Sequence, residues 1–175
     1  VAGLWQASRW VAADPVRNLV YVSGIMSQSI AILDGETEEW VGVVDSGVWP
    51  ENPGLRFADS PKRRIPGWAG ICESGENFSQ QSCNDKLVGA RYFTEGIGQR
   101  NIAKYDFKSP RDYDGHGTHT MTTAAGSPAR AVVDGADYGT VRGMAPGAYV
   151  DAYKACWFDR ADDSVAHLYD PLNPA

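Results

Sequence analysis

The chain is 175 residues long, with a formal net charge of −6 and an isoelectric point of about 5.0. Its 43% hydrophobic and 22% charged residues are typical of a globular protein with one core. The acidic balance argues against nucleic acid as a partner, and no apolar run is long enough to span a bilayer. We therefore expect neither a nucleic-acid nor a membrane partner.

Residues 1–39 contain two short runs of strand-forming residues. The first lies between Ala12 and Ser23 and the second between Ser29 and Thr37, with turn residues between and after them. This pattern predicts a β-hairpin. The two runs also resemble one blade of the YVTN type of β-propeller repeat. A single blade cannot bury its own faces, and no second copy of the repeat follows in the sequence, so a divergent N-terminus is the alternative.

A nearly continuous apolar run from Trp40 ends in a single acid, Asp45. The β-branched residues Val41, Val43 and Val44 are typical of a parallel strand that is buried on both faces. Open α/β sheets place catalytic and ligand-binding groups at the carboxyl ends of their strands. Asp45 is therefore a candidate to hold a histidine imidazole. The alternative is that it only ends the strand, in the turn that Asp-Ser-Gly commonly forms.

The three cysteines divide into a pair and a single residue. Cys72 and Cys83 bracket a loop rich in Ser, Gly and Gln, which has little core to hold it. A disulfide would stabilise such a loop and would suit an extracellular or secreted protein, and the alternative is two thiols. Cys156 ends an alternating run that begins at Ala148, and we expect it to be a buried thiol within a strand.

His116 lies between two glycines at a predicted helix start. The Asp-Gly pair before it forms a turn, and the helix is predicted over 116–125, with Gly126 ending it. The small side chains of this segment favour close packing against a sheet. Gly117 leaves one flank of the imidazole open, as a general base requires.

The same segment allows a zinc site as an alternative. His116 and His119 are three residues apart and share a helix face, and Asp112 and Asp114 are close by. With His167 as a third ligand, this set could hold zinc. No His-Glu-x-x-His pattern supplies a base beside such a metal, so we expect no metal and no other cofactor.

Six segments between Trp40 and Trp157 are more specific together than any one of them alone. They are residues 41–51, 66–72, 83–93, 109–120, 142–146 and 153–157. In this order they resemble the first third of the catalytic domain of a subtilisin-like serine protease, and most of all the plant-type subtilases. The resemblance implies an α/β fold, with part of a subtilisin-like parallel sheet and flanking helices. The short β-hairpin segment predicted for residues 1–39 precedes this part and does not fit the family pattern.

The resemblance also implies a function and a site. The function is that of a serine-type endopeptidase, which hydrolyses a polypeptide substrate with an Asp-His-Ser triad. Asp45 would be the triad acid and His116 the general base, while His119 would be structural and turned inward. The matching family segments also carry the pair Cys72 and Cys83.

The remainder of the family pattern is not recognisable in this sequence. The pattern requires an Asn that stabilises the oxyanion and a Gly-Thr-Ser-Met-type helix start with the nucleophile, and the neighbours of Ser164 do not match it. We therefore expect this chain to be inactive alone, and a non-catalytic interaction module on a protease-derived scaffold is the alternative function. The chain is divided into a hairpin segment (1–39), a partial catalytic domain (40–157) and an unassigned tail (158–175).

Overall fold

The computed structural model describes residues 8–14, 16, 19–24, 30–34, 40–57 and 70–161. Their strands in chain order are β1 (Ser8–Asp14), β2 (Leu19–Gly24), β3 (Ile30–Asp34), β4 (Trp40–Asp45), β5 (Leu87–Tyr92), β6 (Ala129–Val133), β7 (Ala136–Val141) and β8 (Tyr149–Lys154). The helices are α1 (His116–Ala125) and the short 3-10 helices Pro53–Leu55, Gln80–Ser82 and Gln99–Asn101. The larger sheet has the strand order β1-β2-β3-β4-β8-β5, and β6 pairs with β7 separately.

The N-terminal half of the large sheet is antiparallel. The predicted hairpin is present as β2 and β3, and β3 pairs in turn with β4. The first predicted strand was wrong in its extent, because the run from Ala12 to Ser23 is divided between β1, which ends at Asp14, and β2, which begins at Leu19. Asp-Pro favours a turn at that point, and proline has no N–H for a strand ladder. The division of the chain at residues 39 and 157 stays a prediction, and residues 162–175 lie outside the described part.

The C-terminal half of the large sheet is parallel, with β8 between β4 and β5. Asp45 of β4 and Tyr92 of β5 both lie opposite Lys154 of β8, so the three strands end at one edge of the sheet. Helix α1 packs on β4 and β8. The predicted α/β class, with a partial parallel sheet and a flanking helix, is confirmed.

One core cluster joins the helix to the sheet. Val43 of β4 and Val150 of β8 are buried in it together with Met121 and Ala124 of the helix. Full burial of one such aliphatic side chain stabilises a fold by about 1.5–3 kcal/mol. This packing fixes which face of the sheet the helix start approaches.

The bounds of α1 agree with those expected from the sequence. The helix begins at His116 after Gly115, whose φ is 90°, and the N–H of Gly126 closes its last turn on the carbonyl of Thr122. The positive φ of Gly115 favours glycine, whereas at Gly126 an added Cβ would lie 2.5 Å from the carbonyl oxygen of Thr122.

The cysteines confirm one expectation and correct another. Cys72 and Cys83 form a disulfide with their Cα atoms 6.1 Å apart. Cys156 is half-buried and follows β8 rather than lying within it, since that strand ends at Lys154. The ladder with β4 does not continue past Lys154, because the N–H groups of Ala155 and Cys156 both donate to the same carbonyl, that of Asp45. Among the described residues, no helix is both long and apolar enough to cross a bilayer.

Candidate active site

Asp45 closes strand β4 and is almost completely buried, with 3% of its surface exposed. It follows Val41 and Val43 at a spacing of two residues, so its side chain points to the same face of the sheet. That face carries helix α1, because both valines pack in one core cluster with Met121. The alternation of the strand therefore directs the carboxylate toward the helix.

The carboxylate of Asp45 meets the imidazole of His116, the first residue of α1. Asp45 Oδ1 and His116 Nδ1 lie 2.8 Å apart, and the same oxygen accepts the backbone N–H of Ser46 at 2.7 Å. The two partners are 71 residues apart in the sequence, and their expected proximity is confirmed. When Nδ1–H is donated to the carboxylate, the neutral ring carries its lone pair on Nε2.

The surroundings of His116 favour its protonated form. The hydrogen bond to Asp45 raises the pKa of His116 above the ordinary value of 6.5, although partial burial of the ring opposes the shift. The charges of Asp114 and Asp112 act in the same direction as Asp45. The side chain of His116 is 39% exposed, so a substrate can reach the ring. An imidazole that is held by a carboxylate and open on one side can act as a general base.

A second carboxylate, that of Asp112, lies next to the helix start and is completely buried. Its Oδ1 accepts the hydroxyl of Ser46 at 2.9 Å and the N–H of Gly115 at 3.1 Å. Its Oδ2 accepts both the N–H and the hydroxyl of Thr118, at 2.9 and 2.6 Å. The Ser46 hydroxyl oxygen accepts the N–H of Gly117 at 2.8 Å. Asp112 and Ser46 together therefore pair N–H groups that the first turn of a helix leaves without intrahelical partners.

Two glycines allow the helix start to approach β4 this closely. A Cβ added at Gly117 would lie 2.3 Å from the carbonyl oxygen of Gly47, and one added at Gly47 would lie 2.5 Å from that of Pro110. Gly47 also has a φ of 124°, which favours glycine. A larger side chain at either position would push the helix away from the strand.

A buried lysine attaches the loop before the helix to the parallel sheet. Lys154 ends β8, and its Nζ donates to Asp106 Oδ1 at 2.6 Å and to the carbonyls of Phe107 and Arg111 at 3.1 and 2.8 Å. Burial raises the pKa of Asp106 and lowers the pKa of Lys154, while the attraction between the two charges opposes both shifts. The segment that leads to Asp112 is thus held at the same sheet edge as Asp45.

A cavity of about 480 Å³ lies beside this loop. Trp49, Phe107 and Tyr113 contribute aromatic walls, and Arg111 and Glu51 also line it. Arg111 donates to both carboxylate oxygens of Glu51, and this hydrogen-bonded pair lowers the pKa of Glu51. The cavity therefore presents aromatic surface and a neutralised ion pair to any molecule that enters.

The expected inward orientation of His119 is wrong, because its side chain is exposed. The buried positions of the helix are Gly117, Thr118 and Met121, followed by the alanines at its end, and residue 119 lies on the opposite side. In the part of the chain that the structure describes, no group of three or more His, Cys, Asp or Glu could hold a metal ion. His167, the third ligand in the zinc alternative, lies outside that part.

The family model of the subtilases, described as "Subtilase family", matches residues 36–167. The match covers most of the chain and includes both members of the Asp45–His116 pair. The chain belongs to the subtilase family.

Subtilisin-like proteases of Arabidopsis thaliana are similar to this subtilase chain. SBT3.6 is 47% identical over 132 residues, which are 71% of this chain and 17% of the relative. SBT1.6 is 44% identical over 158 residues (84% and 20%), and SBT3.4 is 41% identical over 170 residues (94% and 20%). The chain thus spans about a fifth or less of the length of these subtilases.

Two residues of this subtilase site carry a structural role that the sequence did not indicate. The sequence indicates Asp112 only as a possible metal ligand and Ser46 only as part of a turn. The capping rule points to the residue directly before a helix, whereas Asp112 lies four residues before His116. A buried polar cluster between remote segments leaves no periodic signal along the chain.

Proposed function

We propose that this chain supplies the acid and the base of a serine endopeptidase, with Asp45 as the orienting acid and His116 as the general base. The observation that carries the proposal is the 2.8 Å contact between Asp45 Oδ1 and His116 Nδ1. Membership of the subtilase family supports it. The nucleophile is a serine that we do not recognise in this sequence.

The proton transfers follow from the orientation of the imidazole. Nε2 of His116 accepts the proton of the serine hydroxyl as the serine oxygen bonds to the scissile carbonyl carbon. The buried carboxylate of Asp45 stabilises the imidazolium that forms. His116 then returns the proton to the leaving amine, and water completes the reaction through the same base.

The substrate in this proposal is a polypeptide, and the net charge of −6 makes nucleic acid an unsuitable partner. Within the described residues, the ring of His116 has no hydrogen bond to a serine hydroxyl. Ser46 already uses its hydroxyl for Asp112 and Gly117, and Ser109 is fully buried. We therefore propose that the chain alone does not hydrolyse peptides.

The proposed location is extracellular or secretory. The disulfide between Cys72 and Cys83 supports it, because disulfides persist mainly in oxidising compartments.

A non-catalytic interaction module is the second candidate function. The observation in its favour is the exposed ribbon of β6 and β7, where Val132, Val133, Tyr138 and Val141 are each more than half exposed. Apolar side chains exposed to this degree are available for contact with another protein.

A chimera distinguishes the two candidates. Residues 40–157 of this chain replace the corresponding segment of SBT3.6, and hydrolysis of a fluorogenic peptide is measured beside the unmodified host. We expect the chimera to be active. Replacing His116 by Ala should lower kcat by about 10⁶-fold, because the general base is lost, and replacing Asp45 by Ala by about 10⁴-fold, because the imidazole loses the carboxylate that orients it and stabilises its protonated form.

His119→Ala is the matched control, because this second histidine lies on the same helix but is exposed. Its kcat should stay close to that of the parent chimera. A chimera that folds and still has no activity, beside an active host, would refute the peptidase proposal and favour the interaction module.

A further inference from the structure

The carboxylate of Asp112 accepts four hydrogen bonds, and they come from two separate elements. Ser46 follows the last residue of β4, while Gly115 and Thr118 belong to the start of α1. The backbone of Asp112 is held as well, because its N–H donates to the carbonyl of Val48 at 3.1 Å and its carbonyl accepts Trp49 Nε1 at 2.6 Å. A fully buried carboxylate therefore connects the strand to the helix.

Ser46 completes the connection. It directly follows Asp45, and its hydroxyl donates to Asp112 while accepting the N–H of Gly117, the residue after His116. Each member of the acid–base pair is therefore adjacent in sequence to a residue of this cluster. The cluster fixes the distance between the two backbones from which the carboxylate and the imidazole extend.

We propose that Asp112, acting with Ser46, is a positioning residue that holds His116 against Asp45. The inference rests on the proposed function, because the position of the imidazole matters only if His116 transfers a proton. Small displacements of a catalytic group reduce reaction rates severely. A rigid connection between the strand and the helix prevents such displacements of the imidazole. Helix capping alone would not need the bond between Asp112 and Ser46, which directly follows strand β4.

The test is an NMR titration of the imidazole resonances of His116 in the 175-residue chain, together with the low-field proton of the Nδ1–H bond to Asp45. Asp112→Asn keeps the shape of the side chain but converts one acceptor oxygen into an NH₂ group that cannot accept. We expect the low-field proton to disappear and the pKa of His116 to fall toward its ordinary value of 6.5.

Two variants separate position from charge. Ser46→Ala removes the bridging hydroxyl without changing any charge, and we expect the same loss of the low-field proton. Asp114→Asn removes a carboxylate that also raises the pKa of His116, but its amide oxygen can still accept the N–H of His116. In this control the pKa should fall while the low-field proton persists. Near-ultraviolet circular dichroism of each variant checks that the chain is folded.

The outcomes distinguish this inference from the proposed function. Asp45→Asn should remove the low-field proton; if it leaves His116 unchanged, both the acid–base pair and the positioning role are wrong. If Asp45→Asn has its expected effect but folded Asp112→Asn and Ser46→Ala keep the resonance and the pKa of the parent, only the positioning role is wrong. Should Asp112→Asn not fold, Ser46→Ala decides between these results.

Discussion

The two members of the proposed acid–base pair differ in their exposure to solvent. Asp45 is 3% exposed, whereas the side chain of His116 is 39% exposed. This division suits their proposed roles, because the carboxylate has to hold and stabilise the ring while the ring has to reach a substrate. This difference in exposure arises because the end of strand β4 and the start of helix α1 meet at one edge of the sheet.

Another buried carboxylate lies on the opposite face of the sheet. Asp151 of β8 is 2% exposed, and one of its oxygens accepts the hydroxyl of Tyr153 at 2.5 Å. A Cβ added at Gly89 would lie 2.5 Å from the other oxygen, so glycine makes room for this side chain. Burial raises the pKa of Asp151 to about 6. The folded chain therefore holds this proton more tightly than the unfolded chain does.

The Asp151 carboxyl should destabilise the protein as the pH rises. Its contribution is most favourable below the unfolded pKa of 3.8 and declines as the pH passes through about 6. Asp151→Asn cannot ionise. We expect it to match the parent near pH 4 and to be more stable at pH 8, by at most about 3 kcal/mol, since one pKa unit corresponds to about 1.4 kcal/mol. Urea unfolding at several pH values measures the difference.

Asp137→Asn serves as the matched control because its expected pH dependence has the opposite sign. Hydrogen bonds from Arg130 lower the pKa of this exposed carboxyl below its ordinary value of 3.8, so its contribution is present above that pH and is lost as the pH falls through the lowered pKa. If the stability difference between Asp151→Asn and the parent stays constant from pH 4 to pH 8, the pKa of Asp151 is not raised as we expect.

At the scale of elements, the approach of α1 to β4 depends on residues without side chains. Gly117 has no room for a Cβ beside the carbonyl of Gly47, and Gly47 has none beside the carbonyl of Pro110. The neighbouring bonds between Val48 and the loop hold the two segments side by side. Close packing here brings the helix start within hydrogen-bonding reach of the strand end.

Gly117→Ala should destabilise the chain even though alanine favours helices. The helix propensity of alanine would add about 1 kcal/mol of stability. The added Cβ would lie 2.3 Å from a backbone oxygen, however, and overpacking of this kind typically costs about 1–3 kcal/mol. Chemical denaturation followed by circular dichroism measures the change, and we expect a net loss.

Thr123→Ala on the exposed side of the same helix is the control, and it should be neutral or slightly stabilising. If Gly117→Ala proves as stable as Thr123→Ala, the helix start is not held as closely against the strand as the structure has it.

At the scale of the whole molecule, the sheet is continuous from the N-terminal strands to the parallel half. The antiparallel strands β1 to β3 extend the same sheet in which β4, β8 and β5 carry the candidate site. The loop between Cys72 and Cys83 contributes Phe78 to the core, and both cysteines pack against the same cluster. A covalent link thus holds a loop whose composition offers few other core residues.

The disulfide should contribute measurably to stability. The paired cysteines are 11 residues apart in sequence, and closing a loop of about this length stabilises a fold by roughly 3 kcal/mol. We expect the double variant Cys72→Ser/Cys83→Ser to have a free energy of unfolding that is lower by roughly 3 kcal/mol, so it should unfold at a lower urea concentration.

Thiol counting in denaturant checks the pairing directly. One of the three cysteines, Cys156, should react before reduction and all three after it. Three reactive thiols before reduction would show that the pair does not form. Cys156→Ser is the matched control and should retain the disulfide.

The chain as a whole should not react with a fluorophosphonate probe. An activated serine requires a base within reach and donors for the oxyanion, and this chain is proposed to contribute only the base and its orienting acid. Mass spectrometry after incubation detects any adduct. Labelling of a serine that His116→Ala abolishes would contradict the prediction and identify a nucleophile within the chain.

The sequence by itself determined the elements that rest on local chemistry. The apolar run predicted a strand that ends at Asp45, and the glycines predicted a helix from His116 to Ala125. The composition of the loop between Cys72 and Cys83 made the disulfide one of two alternatives, and the order of the motifs predicted the family. The signals for the strand, the helix and the disulfide each lie within about a dozen consecutive residues, where backbone preference and loop closure act directly.

Only the tertiary structure decided how remote segments meet. The outward orientation of His119 follows from which side of α1 packs on the sheet, and the hydrogen bond from Ser46 to Asp112 follows from how the loop before the helix packs beside the end of β4. The parallel pairing of β4 with β8 in one sheet is also non-local. A hydrogen bond between segments about 70 residues apart depends on tertiary packing. Local propensities do not encode it, because the two segments become neighbours only when the core forms.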